Sequence, residues 1–323
     1  MSIKRLFVET NWDDELLPHL AGTSCRGIFG RPAGGTLTES AAEHIRAAKA
    51  DGLAFGYALD ELCLDNRELT REGNRGLRRL LDRLEALEVD EVIVSSFFLL
   101  ELIKDKYPSL AVVISDTVAF DSVQRVREFI QLGAKYVWLR DMNRDFKQLK
   151  TLTGAAPGAC RLVVNRACTF DCALAITHAN ERSHTRDDQG GKPLLVAELC
   201  IQKMQREPAS LLKARWIRPE DLAFYAERGY ADFVVYAPTG ETARIAAAAS
   251  AYDTEASPAD LLDILSLPDD VCFEEVRQAV TLEAARLDGF LEGFGERDCR
   301  HDDCNFCGYC SAAAVAIRPR SAI

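Results

Sequence analysis

Along most of the chain, short runs of β-branched and aromatic residues alternate with stretches in which apolar residues return every three or four positions. The runs predict strands over residues 4–9, 53–58, 91–95, 111–115, 136–140, 161–165, 194–200 and 233–236. Several are apolar without interruption, Val92-Ile93-Val94 and Val112-Val113-Ile114 among them, as expected of parallel strands buried on both faces. The intervening pattern predicts helices over 38–50, 70–87, 97–107, 122–132, 145–152, 219–228 and 241–252. Gly133 and Gly229 each follow a helix as C-terminal stops, and Pro219 suits a first helical position. Eight strands separated mostly by single helices predict an α/β fold of the (β/α)8 TIM-barrel type. A doubly wound open sheet competes, but no glycine-rich dinucleotide or phosphate fingerprint follows the first strand.

The rhythm breaks at 173–191, a polar stretch with two histidines and Gly190-Gly191. It reads as a long loop after the sixth predicted strand, on the barrel face where chemistry normally sits. Beyond Tyr252 come a connector with Pro258 and Pro268, a helix near 273–291, and a cysteine-rich tail. The expected division is a barrel domain over 1–255 and a short helical, cysteine-rich extension over 256–323. No internal repeat or low-complexity segment interrupts it.

The 323 residues are 48% hydrophobic and 28% charged, ordinary globular usage that supports a large core. A net charge of −11 and a pI of about 5.1 repel phosphate backbones, so nucleic acid is a poor default partner. A small molecule or peptide fits that surface better. The basic residues Lys203, Arg206, Lys213, Arg215 and Arg218 read as a solvated face rather than a groove for nucleic acid. The N-terminus shows no signal-peptide core, and no apolar run reaches the ~20 residues of a membrane span. The expected compartment is the cytoplasm, where thiols stay reduced. Clustered cysteines among the 11 then point to metal binding or catalysis rather than disulfides.

Four cysteines fall in the tail Cys299-Arg-His-Asp-Asp-Cys304-Asn-Phe-Cys307-Gly-Tyr-Cys310. Two-residue gaps let successive thiolates turn toward one ion, and Gly308 permits the tight turn. Four thiolates suit structural zinc and an iron–sulfur cluster alike, and spacing does not choose between them. A second group comprises Cys168, Cys172 and Cys200. Cys168 and Cys172 stand four apart directly after one predicted strand, and Cys200 ends the next. In a barrel such strand ends adjoin, so three thiols could converge on an open metal site; buried structural cysteines are the plainer alternative. His178 and His184 are candidate fourth ligands or acid/base groups. Arg140 and Asp141 end the fifth predicted strand, to orient a polar or anionic substrate or to form a capping salt bridge. Cys25, Cys63, Cys160 and Cys272 read as small core residues, with Cys160 a reserve ligand, and His19 and His44 as satisfied helical histidines. His301 is a spare donor inside the tail.

Several phrases together resemble the collagenase-like peptidase family (peptidase family U, number thirty-two), and more closely a shorter branch with a cysteine-rich tail. They are Tyr57-Ala-Leu-Asp60, the segment Ile103-Lys-Asp-Lys-Tyr-Pro108 through Ser115, Leu132-Gly-Ala134, Asp141-Met-Asn-Arg-Asp-Phe146, Asn165-x2-Cys168-x3-Cys172-x5-His178 and Trp216-Ile-Arg-Pro-Glu-Asp-Leu222. The likeness covers roughly residues 4–252. It implies a barrel carrying a cysteine-bound [4Fe–4S] cluster, one or two per chain, and members resembling oxygen-independent hydroxylases despite the peptidase label. It maps Cys168, Cys172 and Cys200 onto the family's cluster cysteines. Two departures stand out: the last strand reads Phe233-Val-Val-Tyr-Ala-Pro-Thr-Gly240 where the family has a Lys followed by Gly-Arg, and three core cysteines stand where relatives often have four. The leading expectation is an iron–sulfur enzyme acting on a small molecule or peptide. The alternatives are a peptidase, for which no metalloprotease or serine-elbow motif is found, and a non-catalytic metal scaffold or electron-transfer partner paired with a related barrel protein.

Overall fold

The apolar runs pair in chain order and close on themselves. The computed structural model describes residues 4–32, 36–185, 195–267 and 270–320, without the side chains of 185 and 270–272. Its barrel strands are β1 (Arg5–Glu9), β2 (Cys25–Gly30), β3 (Ala54–Leu59), β4 (Glu91–Val94), β5 (Ala111–Ile114), β6 (Tyr136–Leu139), β7 (Cys160–Val163) and β8 (Asp232–Val235). Each pairs in parallel with its neighbour, and β1 closes on β8 with Val8 opposite Val235. The expected (β/α)8 architecture is therefore the observed one. A small antiparallel pair, β9 (Val280–Leu282) with β10 (Ile317–Pro319), ties the C-terminal end back to the connector.

The helices begin where their caps allow. Thr38, Thr70, Ser122 and Asp145 each accept a hydrogen bond from a first-turn backbone N–H of the helix that follows. Gly133 ends the helix Val123–Leu132 at φ +115°, where a side chain would be strained.

Two elements depart from the sequence reading. Residues expected as a strand over 194–200 belong, where described, to the helix Leu195–Arg206. Seven mostly apolar residues in a row carry no period, and both burial patterns fit them. The eighth strand is instead Cys25–Gly30, whose glycines suppress the β signal in the sequence. Packing requires those glycines: a Cβ on Gly27 would lie 2.8 Å from the Ala54 carbonyl oxygen, and one on Gly30 would lie 2.4 Å from the Trp12 ring. Smaller corrections follow. The stretch expected as a loop over 173–191 contains the helix Ala175–Thr185, and 186–191 lie outside the described residues. The helix near 273–291 is Asp270–Ala279, after which the chain turns into β9. Cys272 has no described side chain.

Side-chain alternation sorts the core into two sets. Outward residues such as Leu6, Val8, Ile28, Phe55, Val92, Val94, Val137, Leu139, Phe233 and Val235 pack under the helices. Inward residues form one layer of Phe29, Ala58, Ile93, Val113, Trp138, Val163 and Val234, with Tyr236 above. Trp138 meets Phe29 edge-on at 4.8 Å, filling the barrel as a solid core. Below that layer Arg161 makes two 2.6 Å bonds to Glu91 and lies 3.8 Å from the ring centres of Phe7 and Tyr136. That buried pair plugs the N-terminal end.

At the other end two asparagines bind the loops. Asn143 donates to the carbonyls of Val163 (2.7 Å) and Arg215 (2.8 Å). Asn165 donates to the carbonyls of Tyr236 (2.7 Å) and Ile264 (2.9 Å), and accepts from the Tyr236 N–H (2.8 Å). Asn165 thus joins β7, β8 and the connector beyond 255 through three buried bonds. Asn165→Ala should lower stability by about 3 kcal/mol or more, at roughly 1 kcal/mol per lost bond plus the burial of unpaired groups. Urea unfolding should show a lower midpoint with an unchanged slope; an unchanged midpoint would refute the clamp.

Candidate functional site

The inward position one or two residues past each strand forms the C-terminal mouth of the barrel, and there the core turns polar. Arg31 follows β2 and binds Glu9 at 2.6 Å and Asp60 through two bonds of 2.9 and 2.8 Å. The Ser115 hydroxyl donates to the same Asp60 at 2.8 Å, and the Ala237 N–H donates to Glu9. The Tyr236 hydroxyl donates to Asp116 at 2.5 Å. Burial, and then Asp116 beside it, push that phenol well above its ordinary range, so it stays a donor. Arg140 grips Asp141 through two 2.9 Å bonds and approaches Asp116 at 3.4 Å. The Arg140–Asp141 pair therefore exists as a salt bridge at the mouth, with Arg140 on the inward parity of its strand.

One cation in this ring differs. Arg166 is 6% exposed and lies over the Tyr236 ring, 3.7 Å from its centre. Among the described residues no hydrogen bond or ion pair reaches its guanidinium, and its Nε is buried without an acceptor. Cys168, two residues on, points to the same side: burial pushes its thiol up, while Arg140 and Arg166 pull it down. Cys172 lies half-buried beyond it. Between them Phe170 stacks under Arg215 at 3.6 Å, and Thr169 pairs with Ala214.

The helix Ala175–Thr185 leaves β7 and reaches the loop after β3, the opposite side of an eight-stranded ring. There the Ser183 hydroxyl accepts from the Leu62 and Cys63 N–H groups at 3.0 and 3.3 Å, so the helix lies across the mouth. His184, at its far end, is exposed and sits 3.2 Å from the exposed Asp65, turned toward solvent. His178 is half-buried on the mid-helix. Cys200 sits on the helix Leu195–Arg206 rather than at a strand end, which removes the geometric ground on which the sequence reading brought it beside Cys168 and Cys172. His44 is a satisfied core histidine, bonded to Thr10 and Asp14.

The tail is anchored by aromatic packing. Tyr309 stacks parallel on Phe290 at 5.4 Å and edge-on to Phe294, and its hydroxyl donates to the Phe290 carbonyl at 2.9 Å. A Cβ on Gly293 would collide with that hydroxyl at 2.1 Å. Two short helices, Cys304–Cys307 and Tyr309–Ala313, meet at Gly308, whose φ of +63° makes the turn. Cys304 and Cys307 are exposed, and Cys299 and Cys310 are half-buried. Burial raises the Cys299 and Cys310 thiols, and Arg144 lowers both, with Arg215 also acting on Cys299. All four tail thiols lie within electrostatic range of one another.

Arg144 and Arg215 are each 3% exposed. Arg144 donates to the Leu212 carbonyl at 2.6 Å and the Trp216 carbonyl at 3.3 Å, with its guanidinium 4.5 Å from the Phe294 ring centre. Burial lowers its pKa to about 10. No described hydrogen bond or ion pair reaches the Arg215 guanidinium, and its Nη1 is buried. Arg300, next to Cys299, also approaches the Phe170 ring, at 5.6 Å. Tail and mouth therefore share one wall. Among the described residues no three histidine, cysteine or acidic side chains stand close enough to hold an ion as placed. The donor set still fits a thiolate centre: Cys299 and Cys310 lie beside buried Arg144, Cys299 also beside Arg215, and Cys304 and Cys307 lie near both thiols. Most of the charged mouth escapes sequence reasoning: Asp60 stands in the phrase Tyr57-Ala-Leu-Asp60 without a role, strand parity past the strand ends could have placed Arg31 and Asp60 inward, and Asp116 and Arg166 carry no such signal. No described helix is long and apolar enough to cross a membrane.

Comparison with known proteins bears out the family likeness. The model of peptidase family U32 matches residues 61–156. "Uncharacterized protease MJ1657" of Methanocaldococcus jannaschii is 24% identical over 285 residues, covering 87% of this chain and 82% of that protein. The solved U32 peptidase Mk0906 superposes with a TM-score of 0.56 at 22% identity, covering 75% of this chain and 95% of that one. At that identity the structural likeness speaks for the barrel fold.

Thiol reactivity should separate the cysteines. Burial pushes Cys25 and Cys160 up to about 12, leaving roughly one in ten thousand ionised at pH 8. Iodoacetamide on metal-free native protein should label Cys304 and Cys307 first and spare Cys25 and Cys160 until unfolding, read by peptide mass mapping. Early labelling of Cys25 or Cys160 would contradict the described packing.

Proposed function

We propose, from the likeness to peptidase family U32 over residues 61–156 and the 24% identity to an uncharacterized protease, that this chain is an iron–sulfur-dependent enzyme acting on a small molecule or peptide at the barrel mouth. One observation supports the metal half of this reading: Arg144 and Arg215 are buried without an ion pair among the described residues, Cys299 within electrostatic range of both and Cys310 of Arg144, and Cys304 and Cys307 lie close to those two thiols. Leaving two cations so placed costs several kcal/mol each unless an anion meets them. Four thiolates around Zn²⁺ or a [4Fe–4S]²⁺ core carry about two negative charges, which matches. Cys299, Cys304, Cys307 and Cys310 would hold that centre. The likeness to hydroxylase-type members favours iron–sulfur over zinc and keeps Cys168, Cys172 and Cys200 as candidates for a second cluster.

When bound, such a centre supplies redox or Lewis-acid chemistry beside the mouth. The chain's own residues would do the rest. Arg140 and Asp141 present a fixed ion pair to the substrate, Tyr236 holds its proton as a donor, and the helix Ala175–Thr185 limits access of water. His178, half-buried on that helix, is the better placed of the two histidines for proton transfer.

Anaerobically prepared protein should be brown and contain about four iron and four sulfide per cluster. The Cys304→Ser/Cys307→Ser variant should lose the tail complement, and Arg144→Met/Arg215→Met should bind iron more weakly with the fold intact by circular dichroism. A colourless protein with one zinc and no sulfide would overturn the iron–sulfur reading. Casein hydrolysis by metal-free protein, lost on alkylation of one cysteine, would favour the peptidase.

A further inference from the structure

We infer that Arg166 is the anchor for an oxyanion group, carboxylate or phosphate, of the molecule that enters the barrel mouth. The inference takes the mouth as the substrate end, as proposed above, but does not depend on the metal.

Every other arginine in the ring has a carboxylate. Arg31 is held by Glu9 and Asp60, and Arg140 by Asp141 and Asp116. Arg166 has none, though it is 94% buried on a 6% exposure and its backbone is fixed by the pairing of 166 with Ser266. Glu9 and Asp116 lie within its electrostatic range. Their oxygens are already engaged by Arg31, the Ala237 N–H, Tyr236 and Arg140. Those neighbours explain how the charge is tolerated. They leave its planar donor fork unused.

The fork is also pre-set. The guanidinium packs 3.7 Å over the Tyr236 ring centre, which restricts its movement, and Tyr236 is in turn held by Asp116 and by Asn165. A guanidinium so restricted loses little entropy when it forms two parallel bonds to a carboxylate or phosphate. The opposite demand, a partner that only needs positive charge, would be met as well by a flexible lysine. Cys168 lies within electrostatic range of the same guanidinium. An oxyanion held by Arg166 would therefore place the remainder of its molecule beside Cys168 and the Arg140–Asp141 pair.

Isothermal titration with inorganic phosphate and, separately, with malonate tests this, against sodium chloride at matched ionic strength. One of the two should bind the wild type saturably at one site, and which one does distinguishes a phosphorylated from a carboxylated substrate. Arg166→Gln should abolish the binding, and Arg166→Lys should weaken it about tenfold, because an ammonium lacks the fork. The lysine variant keeps the charge, so it serves if the glutamine variant does not fold. Cys304→Ser/Cys307→Ser should bind the anion as wild type does, which separates this inference from the metal assignment. Absence of saturable binding by either anion, or equal binding by wild type and both Arg166 variants, would overturn it.

Discussion

A guanidinium group taken out of water must be met by something, and the placement of arginines governs how this barrel is finished. Moving an ion inside costs several kcal/mol even after relaxation. At the N-terminal end the cost is met in place: Arg161 has Glu91 and two aromatic faces. In the connector Arg277 meets the carbonyls of Leu262, Leu265 and Pro238. Three others are met only in part. Arg144 has two carbonyls and three rings, while Arg166 and Arg215 each have one ring. Stacking on an aromatic face offsets about 2 kcal/mol when desolvated, less than burial removes. These three define a path from the mouth to the tail, and the aromatic cluster of Phe290, Phe294 and Tyr309 is built around its outer end.

The thiols on that path feel two opposed effects. Burial disfavours thiolate at Cys168, Cys299 and Cys310, and neighbouring arginines favour it. Burial is the larger, so the protein by itself leaves these groups protonated at neutral pH. A metal bound as proposed above would displace those protons and reverse the balance: the thiolates would neutralise the arginines, and both desolvation costs would fall together. The exposed Phe306, between Cys304 and Cys307 and 93% accessible, contributes nothing to holding the thiols, so their arrangement rests on Tyr309 and Gly308.

Seven of the eight strands were legible because uninterrupted β-branched runs have one common use in an α/β chain. The exceptions have a shared cause. Gly27 and Gly30 lower the strand signal of β2 because close packing against Ala54 and Trp12 demands them. The apolar run before Cys200 has the composition of a strand and is fixed as a helix by tertiary packing. The tail cysteines were legible since their residue type is rare and their spacing tight. The charged ring was not. Arginine and aspartate are ordinary surface residues in sequence, and only the parity of Arg31, Asp60, Arg140 and Tyr236 past their strands turns them inward. Misplacing one strand also moved Cys200 to a strand end that it does not occupy.

Tail and mouth meet in one stretch, residues 165–170, where successive side chains serve different neighbours. Asn165 clamps β8, Arg166 faces the mouth, and the Ala167 N–H donates to Ser266. Cys168 turns to Arg140 and Arg166, Thr169 pairs with Ala214, and Phe170 lies between Arg215 and Arg300. Nearly every residue is fixed by a partner from another element, so the stretch has little freedom to absorb a displacement on one side. Tail and mouth thus meet at Phe170, whose ring is approached both by Arg215, buried beside Cys299, and by Arg300 of the tail.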